Sequence, residues 1–533
     1  MPNRSADSLF LLIRSLEKSE KRNFKLYVKR NSNNTEDLKI TRLFDALDKM
    51  TTYDEEQLLK KNKWIKKQQL SNMKAHLYRQ ILSSLRLISD DANIDIQLHE
   101  QMAYARILYN KGLYIQSLRI LDKLKEYARE YNQVTYLQQV LFFEKKIEAL
   151  YITRSMQDRA DRLAEEAIEV NERLSIITRL SNLALQLYSW YIKHGHARNE
   201  EEGKAVERLF VKELPEEAES YEGFYEKLYL SQCYCWYAFI RQDFIQYYRH
   251  TQRWVDLFEQ QPIMKDVESA HYIKGLHNLL SAQFDLLNYK KFTEVLHQFE
   301  EFAASSIASL HENNKLQIFV YLNTARLNKF FMEGKFTEGL EFVPYLEEKL
   351  QEFEPYLDRH RVLVFYYKIA SLYFGAGEFE NAIDYLNKIM NWKVDLRTDL
   401  QCYSRLLHLI AHYELGNFDL LEYLAKSVYR FMAKMENLNM VEEEIFRFLR
   451  KSLHMSSNML EIEFKNLLFK LKQQQSNPYA TRAFFYLDII SWLESKIDHV
   501  PVPQVIRKKF LERQKQLERP QTTDDRPHRT VDS

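Results

Sequence analysis

Five times between residues 244 and 418 the chain sets an aromatic residue just after a turn that closes an apolar helical stripe. These residues are Phe244, Phe292, Phe336, Phe379 and Phe418, spaced by 48, 44, 43 and 39 positions. The clearest copy runs from Leu363 to Trp392. Tyr366, Ile369, Ala370 and Tyr373 recur at the spacing of one helical face. Gly375-Ala376-Gly377 is expected to break that helix, because glycine tolerates the positive φ at which helices stop. Phe379, Ala382, Ile383, Leu386 and Ile389 then restart the same spacing, and the small Ala370 and Ala382 mark where two helices can approach closely. A helical hairpin of this kind cannot bury its apolar faces alone, so it requires neighbours of its own kind.

Composition narrows the classes further. At 533 residues the chain exceeds one compact core, which leaves several domains or an extended array. With 10 Gly and 10 Pro against 34 Tyr and 32 Phe, it is turn-poor and aromatic-rich, a composition that disfavours sandwiches and barrels. Apolar runs fall short of the ~18 residues of a membrane span. The N-terminal apolar run continues as an amphipathic helix without a small-residue cleavage site, so neither a membrane segment nor a signal peptide is read. The three cysteines, Cys233, Cys235 and Cys402, fit a reducing compartment without a disulfide framework, and the expected location is cytoplasmic.

The net charge of +1 hides an asymmetry: residues 1–89 carry +9, residues 505–533 carry +3, and the rest carry −11. Residues 1–89 read as a basic helical N-terminal module and residues 94–435 as the repeat array. Residues 441–496 read as three capping helices that lack the turn signature, and residues 500–533 as a basic tail, largely disordered after a short helix.

The order in the copy from Leu363 to Trp392, an aromatic, a small residue, a Tyr, a turn Gly, an aromatic, an Ala and a large apolar residue, resembles the tetratricopeptide repeat. The resemblance covers about residues 94–435 and is strongest from Gly334 to Gly416. The copies here are longer than that family's period of about 34 residues. Val394 stands where the family often ends a repeat with proline. The resemblance implies an all-α solenoid of antiparallel helical hairpins, a TPR-like superhelix whose first helices line a concave groove. Aligned on the turn glycine, the implied groove positions are Thr324, Asn328, Phe331, Tyr367, Ser371, Phe374, Leu406, Ile410 and Tyr413. Such a groove suits an extended or helical peptide, and these positions lack the clustered Lys/Arg that would clamp an acidic terminus.

Catalytic signatures are missing. His408 and His412 have the i, i+4 spacing of two metal ligands, but no Glu follows His408 and no third ligand stands nearby, so core packing is the expected role. Cys233 and Cys235 lie two apart on a helix and point to different faces. Gly375-Ala-Gly377 is no phosphate cradle, because no strand precedes it and no Gly-Lys-Ser/Thr follows. No enzyme activity, cofactor or metal is expected. The basic run Lys60, Lys61, Lys63, Trp64, Lys66 and Lys67 offers phosphate contacts with a ring to stack on a base; the plainer reading is a solvated helix end with Trp64 half buried. Residues 1–89 contain no glycine, which weakens a helix-turn-helix reading of this run. The expected function is a non-enzymatic scaffold or adaptor that binds a protein or peptide. The alternative is a regulator whose basic module binds nucleic acid while the repeats sense a partner.

Overall fold

The computed structural model describes residues 7–31, 35–87, 93–150, 159–309, 311–392, 398–435, 438, 440–453, 455–475 and 488–518. It is all-α, with no strand among the described residues. Two compact units divide the chain, residues 1–174 and 175–533.

The first unit begins with α1 (Ser8–Ser15), α2 (Lys18–Asn31), α3 (Thr35–Asp48), α4 (Glu55–Lys61) and α5 (Lys67–Arg86). Asp7 caps α1 by accepting from the backbone N–H groups of Leu9 and Phe10, and Asp54 caps α4 through Gln57. Leu9, Ile13, Phe24, Leu43, Phe44, Leu47, Leu77 and Ile81 close a core between these helices. Then follow α6 (Ile94–Asn110), α7 (Tyr114–Glu130) and α8 (Val134–Leu150). The long α9 (Arg159–His194) contributes residues to both units. Glu144 on α8 is fully buried and is held by Lys125 and Arg159, which compensate its lost hydration.

The second unit holds α10 (Glu200–Glu213), α11 (Phe224–Ile240), α12 (Phe244–Gln260) and the short α13 (Met264–Val267). It continues with α14 (Ser269–Asp285), α15 (Tyr289–Ala303), the short α16 (Ser306–Ser309), α17 (Glu312–Glu333), α18 (Phe336–Leu340) and α19 (Val343–Phe353). Then come α20 (Arg359–Ala376), α21 (Phe379–Met390), α22 (Thr398–Glu414), α23 (Phe418–Lys434), α24 (Met440–Ser452) and α25 (Ser457–Gln474). Helices α26 (Ile489–Asp498) and α27 (Val502–Glu518) finish the described chain.

One device ends the first helix of each recurring pair. At Gly334 and Gly377, directly after the helix, and at Gly416, one residue further on, the chain takes a positive φ, and the next backbone N–H turns back to a carbonyl of the last turn. Gln242 and Leu287 adopt the same conformation without being glycine, with φ of 61° and 53°. The turns before Phe244 and Phe292 are therefore built like the others although their sequence lacks the marker.

Gly375 does not break its helix. It is a buried residue inside α20, and a Cβ placed there would overlap the ring of Phe336 from α18. Its value is close packing, and Gly377 alone supplies the left-handed residue.

The segment after Pro501, expected as a short helix leading into a disordered tail, is helical from Val502 to Glu518. Residues 519–533 lie outside the described residues. Helix α27 packs along α17 and α20. Gly334 lets its backbone approach Arg507 and Pro503, Arg507 donates to the Glu333 carbonyl at 3.2 Å, and Phe510 meets Tyr289 edge-on.

Candidate functional site

Helix α17 packs against α14 and α20. On α14 a partly exposed stripe carries Lys274, His277, Ser281 and Phe284, and on α20 it carries Arg361, Lys368 and Ser371; α17 contributes the partly exposed Tyr321 and Phe331, while Asn328 between them in sequence is buried. The ring of His277 stacks on that of Tyr321, with centroids 4.1 Å apart and planes 15° from parallel. The Lys274 ammonium stands 4.9 Å from the centroid of Tyr321 and 6.0 Å from that of Trp236 on α11. The Arg361 guanidinium stands 5.7 Å from the Tyr321 ring and also pairs with Asp358, one turn back, at 3.2 Å.

Two helical turns further along, Lys368 donates to Asn328 Oδ1 at 2.6 Å and lies between the rings of Phe284 and Phe331, at 5.9 and 5.5 Å. Lys274 and Lys368 make no ion pair among the described residues. Aromatic faces, not carboxylates, hold them, which leaves ammonium donors to spare.

The electrostatics of this face follow from crowding and like charge. Burial pulls His277 well below the usual histidine range, and Lys274, Lys368 and Arg361 add to it, so three cations converge on one neutral imidazole. Burial would raise the Tyr321 phenol, but Lys274 and Arg361 outweigh it and bring the group below its ordinary value. Burial lowers Lys368 to about 8 despite the nearby carboxyl of Asp285. It also raises Asp285 to about 8 despite Lys368. The face is a positive, partly desolvated surface framed by rings, with one carboxyl that holds its proton well into the neutral range.

Of the groove positions expected from the sequence, Phe331 and Ser371 are partly exposed on this face, and Asn328 is buried with its Oδ1 accepting from Lys368. Thr324 is buried and its hydroxyl donates to Val320 O of its own helix. Tyr367, Phe374, Leu406, Ile410 and Tyr413 are core residues, each no more than 8% exposed. Phe374 meets the ring of Phe379, and Tyr413 packs among Phe418, Phe448 and Trp492. The expected strip of Tyr367, Phe374 and Tyr413 is therefore not an accessible surface. On α20 the partly exposed positions include Arg361, Lys368 and Ser371, so the expected Ser371 lies on the stripe while the expected Tyr367 and Phe374 do not. The expected lack of clustered cations is corrected with it. Lys274, Arg361 and Lys368 come together from two helices far apart in sequence, where no local run could reveal them.

In the first unit, Lys60, Lys61, Lys63, Lys66 and Lys67 are exposed around the end of α4 and the start of α5. Trp64 is half-buried and packs against the core formed by α1–α5. The His408 and His412 rings meet edge-on at 4.5 Å, and burial pulls His408 down to about 4. Cys233 and Cys235 are buried in two different clusters, and burial pushes the Cys233 thiol up to about 12. Among the described residues, no group of three His, Cys, Asp or Glu side chains could hold a metal ion, and no helix is long and apolar enough to cross a membrane.

No family model, no curated protein and no solved structure matches the chain.

Proposed function

We propose that this chain is a non-catalytic binding module, a TPR-like solenoid of helical hairpins that receives a segment of a protein partner on the face formed by α14, α17 and α20. The observation that carries the reading is the set of Lys274, Arg361 and Lys368, seated against rings and partly open to solvent, with no ion pair to Lys274 or Lys368 among the described residues. A cation that serves only solubility stands out in water and is fully hydrated. Cations half desolvated on aromatic faces are poised instead to gain from an incoming anion. Aromatic and Arg side chains are also the types that dominate binding energy at protein interfaces.

The test is site-specific photocrosslinking in native extract, with the crosslinking amino acid placed in the full chain at Val364 or Ser281 on this face, or at the exposed Phe418 away from it. The expected result is one partner band, resistant to nuclease, from Val364 and Ser281 and absent from Phe418. Bands from Phe418 alone would move the binding surface elsewhere. A band abolished by nuclease would favour the nucleic-acid alternative.

A further inference from the structure

The cationic face has two foci. Lys274 and Arg361 converge on Tyr321. Lys368 sits with Asn328, Phe284 and Phe331. Arg361 and Lys368 are seven residues apart on α20, as are Tyr321 and Asn328 on α17 and His277 and Phe284 on α14. Seven residues of helix are two turns, about 10.5 Å, so the three helices present the two foci in step at that separation.

We propose that this face binds an extended peptide segment through two side-chain carboxylates carried three residues apart, one received by Lys274 and Arg361 and the other by Lys368. The inference rests on the reading of this face as the partner-binding surface. The spacing selects the occupant: an extended chain of the polyproline II type rises about 3.1 Å per residue with three residues per turn, so positions i and i+3 share a side about 9 Å apart. A lone chain terminus supplies one main-chain carboxylate and cannot fill both foci.

The second focus also selects a carboxylate over a phosphate. It offers a single ammonium with the carboxyl of Asp285 in its neighbourhood. A dianion there would be undercompensated, whereas a monoanion is matched by Lys368.

The experiment uses the full chain and fluorescent peptide pools, acetylated and amidated, read by fluorescence polarisation. One pool fixes Glu-x-x-Glu with all other positions randomised. Companion pools fix Gln-x-x-Gln, adjacent Glu-Glu, glutamates seven apart, or phosphoserine. The expected result is that Glu-x-x-Glu binds about tenfold or more tighter than either the glutamine or the adjacent pool. Lys274→Gln and Lys368→Gln should each remove most of that preference, with melting temperatures at or above wild type. Because the comparison of pools is made on the native chain, it stands even if one variant fails to fold.

Tighter binding of the seven-apart pool would overturn the extended occupant. Tighter binding of phosphoserine would overturn the carboxylate. Equal binding of the Glu and Gln pools, lost on Phe331→Ala, would overturn the charge recognition and leave the partner face standing. No binding by any pool, together with no crosslink from Val364, would overturn both.

Discussion

The ammonium of Lys368 on α20 donates to Oδ1 of Asn328 on α17 at 2.6 Å, a neutral acceptor where a carboxylate would fit. The contact itself therefore supplies no counter-charge to the lysine. Asn328→Asp would supply an internal counter-ion with little change of shape, raise the Lys368 pKa toward its ordinary value and cancel the second focus. The expected outcome is about a tenfold loss of affinity for the Glu-x-x-Glu pool with an unchanged or higher melting temperature. Polarisation titration beside a thermal melt checks it; retained affinity would show that Lys368 does not meet the ligand.

Asp285 gives a pH signature of the same face. Burial holds its carboxyl proton up to about 8, with Lys368 opposing. A carboxyl whose folded pKa lies above its unfolded value stabilises the fold fully at low pH, and that contribution is lost as the pH rises through the folded value. Lys368, lowered to about 8, acts in a higher window, where stability recovers as the pH climbs from 8 toward the ordinary lysine range. Asp285→Asn should therefore gain stability relative to wild type between about pH 4 and pH 8, by about 1 kcal/mol or more once the partial exposure of the site is allowed for. Urea unfolding of both proteins across that range is the measurement, and a difference independent of pH would refute the assignment.

Tyr413 tests whether the rings first expected in a groove are core. It is surrounded by Phe418, Phe448 and Trp492, and burial pushes its hydroxyl up to about 12. Tyr413→Ala should cost about 3–5 kcal/mol and lower the melting temperature, while leaving any folded fraction able to bind the acidic pool. Tyr413→Phe should retain most of the stability. An alanine variant that melts like wild type would place the ring at the surface after all.

Much of the fold was legible because it is written locally. Helix periodicity and the glycines at 334, 377 and 416 act within a few residues of where they are read. The turns at Gln242 and Leu287 were harder, since tertiary packing holds ordinary residues in a conformation that sequence assigns to glycine. The face was legible only in part. The repeat register points to the partly exposed Phe331 and Ser371, but it also points to Asn328, Tyr367 and Phe374, which are buried, and it passes over Lys368. The pairing of Lys274 with Arg361 is a property of helix packing and has no signature in either local stretch. The stacking of His277 on Tyr321 is hidden for the same reason.

The last prediction concerns Gly375. Its backbone is helical, so an alanine there would ordinarily favour the helix by about 1 kcal/mol. Here the position is buried and a Cβ would overlap the ring of Phe336, which α18 inserts against α20. Gly375→Ala is therefore expected to cost about 1–3 kcal/mol through overpacking. Gly377→Ala loses stability for a different reason, because its φ of +86° strains any L side chain although nothing lies within 4 Å of the added atom; the cost there should be about 1–2 kcal/mol. The two causes separate in a double mutant. Phe336→Leu removes the ring, so it should relieve part of the Gly375→Ala defect and none of the Gly377→Ala defect. Denaturant midpoints of the three single and two double variants decide the matter. Simple additivity of Gly375→Ala with Phe336→Leu would show that the glycine and the phenylalanine are not in contact.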